Sequence, residues 1–238
     1  MKKLITTTLA ILIIASMNFV QAQSLDNVLK KHFKAVGQDK LVSAKTYYMK
    51  AKLSQMGQEL PMEMKMKRPN KFRVEMEMMG QKMIQAYDGE KGWMIAPWLS
   101  PDPQALEGDQ LKQAMQQADF EGELYNYEQK GSSVDFVGKV NADGKEAYKI
   151  KLTSKDGNVK DYFIDAGTNL ILKVKAKISA NGQEIEVEQL FSDYKDFDGI
   201  KMATKLVSKT PMGDVSITME EFKINEDFDD SIFAQPAK

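Results

Sequence analysis

LPMEMKMKRPNKFRVEMEMMGQKMIQAYDGEKGWMIAPW, residues 60–98, holds two runs in which apolar and charged residues alternate. Leu60, Met62, Met64 and Met66 form the first; after Arg68-Pro69-Asn70, Phe72, Val74, Met76 and Met78 form the second. Side chains along a strand point to opposite faces with period two, so these are two strands joined by a turn. Their charged face (Glu63, Lys65, Lys67, Lys71, Arg73, Glu75, Glu77) is expected in water. Their apolar face is built largely from methionine, a flexible side chain that specifies a unique core poorly and adapts well to a flexible apolar ligand. An ordinary packed core is the competing reading of the same stripe.

The other turns of the chain are as explicit. Met56-Gly57, Met79-Gly80, Asp88-Gly89, Asp143-Gly144, Asp156-Gly157, Asn181-Gly182 and Met212-Gly213 supply the Gly or Asn that tight reversals need. Between them, strands are expected over residues 46–55, 81–87, 92–96, 133–140, 146–153, 159–165, 170–179, 184–192, 201–209 and 214–224. Residues 24–37 read as a helix, with Ser24 as N-cap, Gly37 as terminator and Leu25, Val28, Leu29, His32 and Val36 on one stripe. A second helix is expected over residues 108–119, with Leu111 and Met115 facing inward. It follows a proline-bounded excursion, residues 97–103, whose Trp98-Leu99 pair suits a movable cover. About a dozen hairpin-connected strands are too many for a small sandwich and curl into a sheet with a concave face. The expected fold is therefore mainly β: a curved antiparallel sheet forming a half-open, unclosed barrel, with helices covering the concave face.

Residues 1–22 carry Lys2 and Lys3, an apolar run over 9–15 and Val20-Gln21-Ala22, the pattern of a signal peptide cleaved after Ala22. Residues 23–238 then have a length usual for one domain. The chain has 33 basic and 34 acidic side chains; loss of Lys2 and Lys3 leaves 31 basic and a net charge of −3. No polybasic character points to nucleic acid. There is no cysteine, so an exported chain must rely on its core, and no N-terminal Cys can be acylated.

Catalysis is not expected. His32 is the single histidine, and its place on the apolar stripe of the first helix suits a packed, hydrogen-bonded ring. The acidic groups at Asp196 and Asp198, and at Asp227, Asp229 and Asp230, read as solvated turns and tail. No metal or other cofactor is expected. Apolar capture remains: a chain of about 16 carbons exposed to water costs on the order of 12 kcal/mol, which a soluble carrier must offset with a cavity.

Lys67-Arg68-Pro69-Asn70 with Phe72, then Tyr87-Asp88-Gly89, Trp93 and Ala96-Pro97, resembles the KRPN-x-F, DG-x-x-x-W and NP pattern of the LolA family of periplasmic lipoprotein carriers. The resemblance implies a half-open barrel whose cavity accepts the acyl chains of lipoproteins. It also implies a periplasmic location in a Gram-negative-type cell, an inner-membrane donor complex, an outer-membrane acceptor and a monomeric carrier. Carried onto this sequence, it places Leu60, Met62, Met64, Met66, Phe72, Val74, Met76, Met78, Met83 and Trp93 around the cavity. Leu25, Val28, Leu29, Trp98, Leu99, Leu111 and Met115 would form the lid, and Arg68 its latch. A lipid-binding sensor or a module for small apolar ligands is the alternative reading.

Overall fold

The computed structural model describes residues 25–236 except 181, 182 and 212; the expected signal peptide and the Ser24 cap lie outside the described residues. The chain enters as a helix over residues 25–36 (α1), turns at Gly37 and continues as α2 (Gln38–Ser43). A meander of six strands follows: β1 (Thr46–Gln55), β2 (Gln58–Lys67), β3 (Lys71–Met78), β4 (Gln81–Tyr87), β5 (Gly92–Ala96) and β6 (Ser100–Ala105). A crossing segment containing α3 (Gly108–Gln117) leads to a second meander. Its strands are β7 (Ser133–Ala142), β8 (Lys145–Thr153), β9 (Val159–Asp165), β10 (Ile171–Ala180), β11 (Gln183–Phe197), β12 (Ile200–Lys209) and β13 (Val215–Ile224).

All thirteen strands belong to one antiparallel sheet, in the order β6-β5-β4-β3-β2-β1-β13-β12-β11-β10-β9-β8-β7. The two meanders meet where β1 pairs with β13, with Met49 opposite Phe222 and Leu53 opposite Ile217. β6 and β7 end the sheet without pairing to each other, so the barrel is half open.

Register assigns the faces. Tyr47, Met49 and Ala51 lie opposite Met66, Met64 and Met62, which lie in turn opposite Phe72, Val74 and Met76. These residues share the concave face. In the second half, Leu25, Val28 and Leu29 of α1 are buried with Val134, Ile150, Leu152, Tyr162 and Ile164. The α1–α2 corner rests on the β11–β12 turn, where Gly37 has a φ of 72° and a Cβ would stand 2.0 Å from the Gly199 carbonyl oxygen. Only glycine satisfies both the left-handed backbone and that approach. Over the first half, α3 sets Ala114 and Ala118 against the sheet, with Leu111 half-buried beside them. Small side chains let the helix lie close.

Three expectations are corrected. The proline-bounded excursion is strand β6, paired with β5 through Trp93–Ala105 and Met94–Gln104. Proline cannot donate to a ladder, and Pro101 and Pro103 are accommodated because β6 is an edge with one side unpaired. Met115 faces solvent. The acidic tail is not simply solvated, since residues 225–236 cross the convex face as a strap. The Asn225 side chain accepts from the Lys45 amide, the Phe228 carbonyl accepts from Lys67, and Asp230 pairs with Lys67 and Lys71 at 2.6 and 2.7 Å. Those two ammonium groups hold the Asp230 carboxyl down at about 2. The Ile232 carbonyl accepts from Arg73, and Phe233 is wholly buried. The charged face thus belongs partly to the strap.

Candidate functional site

Between α1–α2, the segment after α3 and the middle of the sheet lies a cavity of about 690 Å³. That volume falls within the range of about 300–1,000 Å³ usual for ligand sites. Met62, Met64, Val74 and Met76 form its wall on the β2–β3 side. Met49 and Leu53 of β1, Phe191 of β11, Met202 and Leu206 of β12, and Ile217 and Met219 of β13 complete it. His32, Val36, Leu41 and Phe120 close it from the helical side. Phe120 also borders an adjoining recess of about 230 Å³, which Met66, Tyr47 and Phe222 line.

Several polar groups at the wall are engaged elsewhere. The His32 Nδ1 lies 2.9 Å from the Asn169 carbonyl oxygen, and burial lowers its pKa. The Tyr194 hydroxyl donates to the Ile171 carbonyl at 2.8 Å, and burial pushes its pKa up. Thr204 donates to the Asp193 carbonyl, and Asp119 pairs with Lys130 at 2.7 Å. Among the described residues, no buried side-chain nitrogen or oxygen lacks a hydrogen-bond partner. The buried polar atoms of the wall are therefore already committed, and the surface offered to an occupant is chiefly thioether and hydrocarbon.

The other sequence-derived candidates divide by place. Phe72 is fully buried with Tyr87 and Leu106 under α3. Leu60, Met78 and Met83 share the concave face but lie outside the cavity. Leu25, Val28 and Leu29 pack on the β7–β10 half. Trp98 and Leu99 do not cover the cavity; they sit exposed at the tip of the β5–β6 hairpin. Trp93 is on the opposite face. It follows Gly92, which pairs with the concave Tyr87, so strand parity sends the indole to the convex side. There its Nε1 donates to the Phe233 carbonyl at 2.8 Å and the Arg73 guanidinium lies over its ring. The walls from β1 and β11–β13 were absent from the sequence-derived set, although Met202, Thr204 and Leu206, and Ile217 and Met219, carry the same period-two signal.

The geometry has known counterparts. No family model and no curated protein matches the sequence. A LolA superfamily protein from Nitrosomonas europaea superposes with a TM-score of 0.59 at 15% identity, covering 88% of this chain and 96% of that one. The two share one fold. A DUF1329-family protein from Desulfovibrio piger gives 0.60 at 15% identity over 87% and 97%. A domain assigned to outer-membrane lipoprotein sorting, from Vibrio parahaemolyticus, gives 0.56 at 11% identity over 83% and 94%. Among the described residues of this LolA-like chain, no helix is long and apolar enough to cross a membrane.

In this LolA-like fold Arg68 joins two pieces of the cover, the end of α2 and the segment after α3. Its Nε donates to the Ala44 carbonyl at 2.8 Å and its Nη2 to the Leu41 carbonyl at 3.4 Å, both at the end of α2. Its Nη1 binds Glu121 at 3.0 Å, and its guanidinium lies over the Phe120 ring. Helix C-termini leave carbonyls without intrahelical partners, and the arginine fork meets them with several donors at once. Gln38 adds a bond to the Glu121 carbonyl, and the Tyr47 hydroxyl donates to Leu41.

Proposed function

We propose that the protein is a periplasmic carrier that takes the acyl chains of lipoproteins into the methionine-lined cavity and passes them toward the outer membrane. The observation that carries this reading is the wall itself: thioether and aliphatic groups from both halves of the sheet, with the buried polar atoms already paired. Such a surface gains from excluding water and imposes little shape of its own. The likeness in fold to the Nitrosomonas and Vibrio proteins supports the same reading. In it, residues 1–22 are the export signal, residues 23–238 the carrier domain, and Leu41, Phe120 and the α1–α2 corner the cover. The working form is a monomer that meets a donor at the inner membrane and an acceptor at the outer one.

Native mass spectrometry of protein purified from its own periplasm without detergent tests the cargo. Co-purifying lipoproteins that leave on addition of acceptor membranes are the expected result. Free lipid or a small apolar compound in their place would favour a binding module, and an empty protein that ignores an acyl probe would make the cavity an unfilled core.

Arg68 is the latch of this cover. Losing charge-assisted bonds at about 1.5–3 kcal/mol each disfavours the closed arrangement. Arg68→Leu is therefore expected to release a fluorescent fatty acid about tenfold faster than the parent in stopped-flow displacement. An unchanged release rate would remove the latch role.

A further inference from the structure

The hairpins of the first meander reverse alternately at two ends of the sheet. The β1–β2, β3–β4 and β5–β6 turns therefore lie along one rim, two strands apart, at spacings of about 10 Å. Their tips are apolar and bare: Met56 is 82% exposed, Met79 90%, Leu99 77% and Trp98 46%. In the first two turns the backbone conformation makes methionine a costly choice. Met56 and Met79 have φ of 50° and 54° and each precedes a glycine that is also left-handed, an arrangement that favours Asn, Asp or Gly at the first position. Among the described residues, every other non-glycine position with positive φ is Asn or Asp: Asn126, Asp143, Asn169, Asp193, Asp198 and Asn225. Among the described residues, methionine occupies this conformation only at these two tips of the rim. Local turn energetics do not explain that choice, and burial does not repay it within the chain.

The geometry points to this rim as a docking surface for a lipid bilayer, with Met56, Met79, Trp98 and Leu99 entering the interfacial layer. The tips project singly, which suits a soft medium that closes around each one. Gln55, Gln58 and Gln81 beside them are uncharged, so the bilayer recognised is zwitterionic and is bound without electrostatic attraction. A tryptophan among the tips fits the interface, where an indole is half apolar and half wet. The cavity wall also reaches toward this rim. Leu53, Met76, Leu206 and Ile217 of its wall lie two or three residues from the strand ends at this side. The opposite side is fastened by Arg68, α2 and the Gly37–Gly199 contact. The inference concerns the rim alone and stands apart from the identity of the cargo.

Flotation with vesicles of phosphatidylcholine and phosphatidylethanolamine tests it, comparing the parent, a Met56→Asn/Met79→Asn/Trp98→Ser/Leu99→Ser variant, and Met64→Glu in the cavity. The asparagines suit the turns, so the rim variant is expected to fold and to bind a soluble acyl probe as the parent does. It is expected to lose vesicle binding by about tenfold or more. Met64→Glu is expected to float like the parent. In the parent, the Trp98 emission should shift to the blue and be quenched by brominated acyl chains. Parent protein that does not float, that floats only with anionic vesicles, or that floats equally well with the rim replaced would overturn the assignment. Loss of flotation in Met64→Glu would also overturn it, by showing that vesicles are held through the cavity.

Discussion

Met64→Glu is expected to weaken binding of a soluble acyl probe by about a hundredfold, ~3 kcal/mol, while the protein still unfolds in one cooperative transition. Met64 is half-buried and borders both the main cavity and the recess beyond Phe120, so its side chain meets an occupant from two directions. A carboxylate there must either stay charged against hydrocarbon or take up a proton, and both oppose an acyl chain. Fluorescence titration alongside urea unfolding separates the outcomes. If the variant does not fold, the methionines act as packing and the carrier reading loses its main support. If it folds and binds as before, the ligand lies elsewhere.

The second large effect is on the other face. Phe233→Ala is expected to cost about 3 kcal/mol and to shift the emission of Trp93 to the red. Phe233 is wholly buried and its carbonyl receives the Trp93 indole N–H, so one truncation opens a cavity and loosens a buried hydrogen bond. Trp98→Phe as background leaves Trp93 as the single reporter. Acyl-probe binding should stay at the parental level, because the strap and the cavity lie on opposite sides of the sheet. A melting temperature and emission unchanged from the background would mean that residues 225–236 are not a structural strap.

These two sites differ in how far the residues alone reveal them. The strands of the first meander are legible because every reversal carries its own turn chemistry, and the alternation from Leu60 to Met78 sets the faces without outside help. β6 was hidden by Pro101 and Pro103, which read as breakers until the strand is known to be an edge. The strap was hidden by Asp227, Asp229 and Asp230: an acidic run looks solvated, and its anchors, Lys67, Lys71 and Arg73, are far away in sequence. Trp93 illustrates a different failure. The family resemblance directed it inward, whereas parity from Tyr87 and Gly92 directs it outward, and parity prevailed. The far wall of the cavity needed the β1–β13 pairing, which no local pattern specifies.

That pairing places the first strand and the last at the middle of the sheet, and it has a consequence for synthesis. Each hairpin of the first meander can form as soon as its own residues leave the ribosome. β1 cannot complete its ladder until residue 224 has been made, because its other neighbour is β13. A chain emerging from its N-terminus thus carries one long unpaired edge, bearing Tyr47, Met49 and Leu53, through most of its production. Unpaired edges invite pairing with other chains, and contacts this distant in sequence form slowly. The nascent protein therefore depends on being held apart from its neighbours until its final strand arrives.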